Sequence, residues 1–96
     1  MQFESLGILE TGSVSASIIA VNALLKVNEV SIIGKQILGD GIVTVFMKGN
    51  LGAIRNALKL GAEALKDSGQ FRHSHIIPLP HKDLFLKFNL ERKELW

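Results

Sequence analysis

Apolar and polar positions divide the first third of the chain into one extended stretch and one helical stretch. Residues 3–9 predict a strand, and Gly12 followed by Ser13 predicts a break whose serine caps the next helix. Residues 14–28 have helical length and composition, but their apolar side chains spread over most of the helix circumference. A helix of that kind is buried on more than one side, so we expect a partner to cover the second side.

Two β-rich runs follow in the middle of the chain. Residues 29–38 and 42–48 predict strands, and the loop between them is Gly39-Asp40-Gly41. A short loop containing glycine between two such runs is typical of a β-hairpin. The sequence therefore predicts a hairpin with one carboxylate at its tip.

The rest of the chain predicts a second helix, a last strand and an apolar tail. Asn50 caps the helix of residues 51–67, and residues 71–77 form the strand. The order β-α-β-β-α-β predicts an α/β fold of the α+β kind: a ferredoxin-like antiparallel sheet with two helices on one face plus a short C-terminal helix or tail. We assign residues 1–81 to one domain and residues 82–96 to a tail that packs on the domain or on a neighbour.

Composition favours self-association. The chain has 96 residues, 47% of them hydrophobic, and its mean hydropathy is +0.26, which is high for a short soluble chain. No apolar run approaches the roughly 18–20 residues of a membrane-spanning helix, and the first residues lack a signal-peptide pattern. Because a small domain buries only part of such a surface, we expect burial against further copies.

Charge and cysteine usage exclude several classes of function. The net charge is +2 and the basic residues are scattered, whereas nucleic-acid binding needs a basic stripe, so neither nucleic acid nor membrane is an expected partner. The chain has no cysteine, which excludes disulfides, cysteine-ligated metals and thiol catalysis within it.

Three histidines and one glycine motif are candidates for binding sites. His73 and His75 point to the same face of a strand, and His81 follows the next turn, which leaves a metal site open as an alternative. No nearby carboxylate or cysteine completes a ligand set, so ordinary polar positions are favoured and no metal or cofactor is expected. Gly49 to Gly52 is a GxxG motif, but it leads from a strand into a helix, which favours a turn and a helix cap over an anion clamp.

Asp40 is a candidate for a catalytic acid or base. No motif ties a nucleophile or a second titratable group to it, and an acid between two glycines is usually part of a turn. Turn chemistry is therefore favoured over catalysis for Asp40, and we do not expect an enzyme.

A set of short motifs points to a family. Their order and spacing match with essentially no gaps, although no single motif is specific. The motifs are Leu6-Gly7, Glu10-Thr11, Lys26 near the end of the first helix, Gly34, Gly39-x-Gly41-Ile-Val-Thr-Val45, Lys48-Gly-Asn-Leu-Gly-Ala53, Gly61-Ala62 and His75-Ile-Ile-Pro-x-Pro-His81. From about Leu6 through His81 the chain resembles the bacterial microcompartment shell proteins of the single-domain, hexamer-forming type, the BMC-domain family.

The resemblance implies a structural role and an assembly. It implies a flat six-fold hexamer that tiles with other hexamers and other shell proteins around enzymes, in a microcompartment of the cytoplasm. It implies that Gly39, Asp40 and Gly41 of six subunits line a central pore for small metabolites. The residues that it places at the hexamer edge are Lys26, Leu79 and His81, and it implies that Lys26 packs against its counterpart in the adjacent hexamer. A ferredoxin-like regulatory module that binds a small ligand between subunits, like the ACT or PII domains, stays open as the alternative.

Two positions depart from the family pattern. Leu79 stands where many members carry an arginine that helps to lock neighbouring hexamers, so we expect either an apolar edge contact or a subunit with a specialised place in a mixed shell. Asp40 stands where the pore loop commonly carries serine. A ring of six carboxylates would favour cations and oppose anions.

Overall fold

The computed structural model describes residues 4–88 and residue 90, so the predicted strand start at residue 3 lies outside the described part. The elements are β1 (Ser5–Thr11), α1 (Val14–Leu24), β2 (Ser31–Ile37), β3 (Val43–Gly49), α2 (Leu51–Leu65), β4 (Phe71–Ile77) and α3 (Leu84–Lys87). The predicted order of elements and the predicted fold class are confirmed.

The four strands form one antiparallel sheet in the order β2-β3-β1-β4. Each of the two long helices connects strands that have one other strand between them, which is the split β-α-β arrangement of the ferredoxin-like fold. Both helices pack on each other and on the central strands β1 and β3. Strands β2 and β4 form the two edges of the sheet.

The main core lies between the sheet and the two helices. Leu9, Met47 and Ile54 are fully buried there. Two glycines allow α2 to approach the sheet: a Cβ at Gly7 would lie 2.8 Å from Met47 Cγ, and one at Gly61 would lie 3.1 Å from Leu9 Cδ2. Close packing of this kind leaves little room for larger side chains.

A smaller core covers part of the opposite face of the sheet. Leu6, Phe46 and Leu90 are buried in it, with Phe85 packed against them. A Cβ at Gly34 would lie 2.6 Å from Leu90 Cδ2, so the glycine leaves room for that leucine. The described part of the tail therefore packs on the sheet. The boundary after residue 81 stays a prediction, and Leu95 and Trp96, which we also expect to be buried, lie outside the described residues.

Local signals set the helix ends. Ser13 Oγ accepts a hydrogen bond from Ala16 N–H at 3.1 Å, and Asn50 Oδ1 accepts one from Ala53 N–H at 2.8 Å, so both predicted caps are confirmed. The prediction that the first helix continues to residue 28 is wrong. Helix α1 ends at Leu24, and Lys26 N–H donates to the Ala23 carbonyl oxygen at 3.3 Å, because the chain tightens into a turn before β2.

Candidate functional site

The loop between β2 and β3 is a closed three-residue hairpin. Leu38 N–H donates to the Ile42 carbonyl oxygen at 2.8 Å, and Gly41 N–H donates to the Leu38 carbonyl oxygen at 3.0 Å. Gly41 has a φ of 82°, the left-handed conformation that ends this kind of loop. The predicted hairpin is confirmed, and the geometry places Asp40 at its tip.

The two glycines of the loop differ in what the single subunit requires of them. Gly41 needs its positive φ, which other residues rarely adopt. Gly39 has no positive φ, and a Cβ on it would meet no atom of the described residues within 4 Å. The fold of one subunit therefore explains the glycine at position 41 but not the one at position 39.

Asp40 is an exposed acid between exposed apolar neighbours. No ion pair to its carboxylate is present among the described residues. Ile37 is 59% exposed and Leu38 46%, so large apolar side chains flank the charged tip on the β2 side. We did not single out these two residues from the sequence, because in one chain they continue the pattern of an ordinary β-strand.

Strand register places the loop at one end of the subunit. Thr11 pairs with Val43, so residues 38–42 extend beyond the C-terminal end of β1, and we call this the loop end. At the other end of β1, Leu6 pairs with Ile77, which immediately precedes Pro78 and Leu79. We call this the distal end. The seven-residue strands separate the two ends by roughly 20 Å.

The three residues expected at the hexamer edge all lie at the distal end. Ser31 pairs with Lys48, which pairs with Leu6, so β2 starts at the distal end and Lys26 lies there shortly before it. Leu79 and His81 follow the end of β4. Strands β2 and β4 are the two edges of the sheet, about 14 Å apart, so Lys26 lies at the corner that precedes β2 and Leu79 at the corner that follows β4. We call them the Lys26 corner and the Leu79 corner.

The Leu79 corner is held by specific hydrogen bonds. Ser5 Oγ donates to the Pro78 carbonyl oxygen at 2.9 Å, and Asp83 N–H donates to His81 Nδ1 at 3.1 Å. Between these anchors Leu79 is 71% exposed. The role of Ser5 was not foreseen, because its partner is 73 residues away in the chain.

The outer face of α1 carries apolar side chains that the core does not bury. Val14, Ile18 and Leu25 are exposed along one line of the helix. Beside them an open groove of about 340 Å³ lies between α1 and the sheet, with Ile32 and Val45 in its lining. The predicted spread of apolar side chains around this helix is confirmed, whereas the partner that we expect to cover them stays a prediction.

The histidines do not form a ligand cluster. His73 and His75 lie on one face of β4 with their ring centroids 4.5 Å apart in an edge-to-face arrangement, whereas His81 lies beyond the strand at the Leu79 corner. Across residues 4–88 and 90 no three histidine, aspartate or glutamate side chains are grouped so as to hold a metal ion. None of the described helices is long and apolar enough to cross a membrane.

Comparison with known proteins identifies the class. The model of the BMC domain family matches residues 5–80, so this chain belongs to that family. The shell protein PduA of Citrobacter freundii is 39% identical over 84 residues, which cover 88% of this chain and 90% of the relative. The carboxysome shell protein CsoS1B of Hydrogenovibrio crunogenus is 34% identical over 90 residues and covers 93% of both chains.

A solved structure agrees with these relatives. A microcompartment protein from Desulfitobacterium hafniense DCB has a TM-score of 0.78 and 26% identity over 88% of this chain, and this chain spans 48% of its length. The chain is therefore a structural shell protein of the BMC family and not an enzyme. It belongs to a family whose members assemble with themselves and with other shell proteins.

Proposed function

We propose that this chain forms a cyclic hexamer in which six loop ends surround the axis and six distal ends face outward. The observation that supports this most directly is the separation of the residues concerned. Asp40 lies at one end of the strands, and Lys26 and Leu79 lie at the other. A radial orientation of the strands brings the first set to an axis and the second to a rim.

The sides of the subunit are suited to a closed ring. A ring is built from two different surfaces, one on each side of every subunit. We assign the exposed apolar line of α1, with the neighbouring groove, to one surface. The other is the α2–β4 side, where Ala62 and Ile76 lie in a groove bordered by Arg55 and Lys59. When these two surfaces of neighbouring subunits meet in the ring, they cover both edge strands of the sheet, β2 and β4, which otherwise stay open to unspecific pairing with other chains.

The loop end forms the pore in this assembly. Gly39, Asp40 and Gly41 line it, and Gly39 is explained because a side chain there would crowd the axis. Six carboxylates close together produce a negative potential that attracts small cations and repels anions. The exposed Ile37 and Leu38 reduce the water around the ring, and a lower local dielectric strengthens that selectivity.

The hexamer serves as a tile of the shell. Through contacts at the distal end it joins neighbouring hexamers and other shell proteins around enclosed enzymes, and small metabolites pass through the pores. The shell-protein names of the relatives favour this role over the ligand-binding regulatory module. No cofactor is required for it.

The test measures flux through reconstituted shells. Asp40→Asn removes the six charges while keeping the side-chain size, and Asp67→Asn is the matched control, since Asp67 is an exposed acid that lies after α2, outside both the loop and the distal end. We expect Asp40→Asn to raise the flux of a small organic anion and lower that of a cation of the same size, while the flux of a neutral solute stays unchanged. Equal fluxes in wild type and Asp40→Asn would rule out the charged pore, and native mass spectrometry without a six-subunit species would rule out the ring.

A further inference from the structure

The two histidines of β4 form a pair for which the shell role gives no use. We propose that His73 and His75 together bind one divalent transition cation of the kind that prefers imidazole ligands, such as zinc, nickel or copper. The two side chains hold the cation as a chelating pair, and water fills its remaining coordination positions. This inference goes beyond the proposed function, because both ligands lie within one subunit and the site does not depend on a ring.

The backbone of β4 brings the two rings to one face of the sheet. His73 and His75 are two residues apart in a regularly paired part of the strand, so their side chains point the same way. His75 pairs with Ile8 of β1, which packs against the smaller core on the face opposite the helices. The paired strand therefore holds both imidazoles side by side on that face, and little ordering is needed when a cation binds.

The spacing of the two rings suits a chelate. Their centroids are 4.5 Å apart and their planes are at 81°. A metal–nitrogen distance of about 2.0–2.1 Å puts each ring centre about 3.2 Å from the metal, so two rings at about 90–110° around it have centres about 4.5–5.2 Å apart. The observed separation lies at the lower end of that range. Rotation of each ring about its Cβ–Cγ bond can aim two nitrogens at one point without moving the strand.

Both rings are accessible to a cation from solvent. His73 and His75 are exposed, and neither takes part in a hydrogen bond or an ion pair with another described residue. Arg72, the neighbouring basic residue in the chain, donates from Nη1 to the Gly69 carbonyl oxygen at 2.6 Å, which holds its charge at the start of β4. A cation therefore does not have to displace a described protein group in order to reach the imidazole nitrogens.

Glu10 places a negative charge beside the pair. It is half-buried on β1 directly opposite His73, so its Cβ lies about 5 Å from that of His73 on the same face of the sheet. Within the described residues it is not grouped with the two histidines as a third ligand. We therefore assign it an electrostatic role: its carboxylate favours a cation at the neighbouring imidazoles.

The number of ligands sets the kind of binding. The sequence disfavours a metal here because a third ligand is missing, and a closed structural zinc site has four. Two imidazoles are enough for exchangeable binding of a transition cation whose other ligands are water. Magnesium and calcium prefer oxygen ligands, so they should not compete for this pair.

The experiment titrates zinc chloride into the tag-free protein, freed of metal with a chelator, in a calorimeter. We expect one zinc ion per subunit with micromolar affinity, and no binding of magnesium chloride. His73→Ala and His75→Ala should each weaken zinc binding at least about tenfold, because one imidazole cannot chelate. Glu10→Gln should weaken it about two- to fivefold through the lost charge. His81→Ala is the matched control and should bind zinc like wild type, since His81 lies beyond the strand at the Leu79 corner.

Copper identifies the ligands directly. With one equivalent of Cu²⁺, electron paramagnetic resonance should show coupling to two imidazole nitrogens in wild type and to one in His73→Ala or His75→Ala. Native mass spectrometry verifies that the variants keep the assembly state of wild type. Zinc binding that is unchanged in both of these variants, or equally weakened in His81→Ala, would overturn the site. No zinc binding by wild type at concentrations up to about 1 mM would also overturn it, whatever the assembly state.

Discussion

The loop end and the distal end of the subunit are held in place in different ways. Two backbone hydrogen bonds within residues 38–42 define the loop end, and no atom crowds Gly39 there among the described residues. The distal end depends on contacts between distant parts of the chain, such as Ser5 with Pro78 and Gly49 with Glu29. Apart from Gly41 with its positive φ, substitutions at the loop end should therefore alter function with little effect on stability, and those at the distal end should alter both.

The largest effect is expected from Gly49→Ala at the distal end. A Cβ there would lie 2.7 Å from the backbone carbonyl oxygen of Glu29, which cannot move aside as a flexible side chain does. We expect the free energy of unfolding to fall by about 2–3 kcal/mol in urea denaturation at fixed subunit concentration. Gly39→Ala is the matched control, and it should leave stability unchanged or up to about 1 kcal/mol higher. Equal losses in the two variants would contradict the contrast between the ends.

Gly41→Ala tests the one backbone requirement of the loop end. Alanine at a φ of 82° is strained, and we expect a loss of about 1–2 kcal/mol in the free energy of unfolding. The same denaturation experiment measures it beside Gly39→Ala. If Gly39→Ala keeps its subunit stability but weakens the six-subunit species in native mass spectrometry, the crowding at the axis is supported. A ring of normal stability in Gly39→Ala would contradict it.

Ser5→Ala tests the long-range support of the Leu79 corner. Ser5 is buried, and its hydroxyl holds the Pro78 carbonyl oxygen at 2.9 Å, so its removal should lower the free energy of unfolding by about 1 kcal/mol. The assembly of hexamers into flat layers should also require a higher protein concentration, since Leu79 is then less firmly positioned. Ser15→Ala, at an exposed serine of α1 that does not cap the helix, serves as the control. If Ser5→Ala hexamers assemble into layers at the same protein concentration as wild type, the turn that carries Leu79 does not depend on the Ser5–Pro78 hydrogen bond.

The smallest effect on stability is expected from Asp40→Asn. The side chain is exposed and has no ion-pair partner in the described part of the chain, so the free energy of unfolding should change by less than about 0.5 kcal/mol. Its effect should appear only in the flux of charged solutes. A loss above about 1 kcal/mol would mean that Asp40 supports the fold of the subunit.

Much of the fold followed from the sequence because the signals concerned are local. Ser13 and Asn50 cap their helices as predicted, and Gly39-Asp40-Gly41 forms the predicted hairpin. These features depend on hydrogen bonds within a few residues. The end of α1 was misjudged because apolar composition continues through Val27, although the chain has already turned to enter β2.

The sequence alone determined the order of the elements, the helix caps, the hairpin with its acid, and the family. Only the tertiary structure decided that Asp40 lies at the opposite end from Lys26 and Leu79, and that these two occupy separate corners. It also decided that Gly34 makes room for Leu90 and that Ser5 anchors Pro78. Caps and turns arise from neighbouring residues and their preferred backbone angles, whereas these placements depend on strand order and register, which form between residues far apart in the chain.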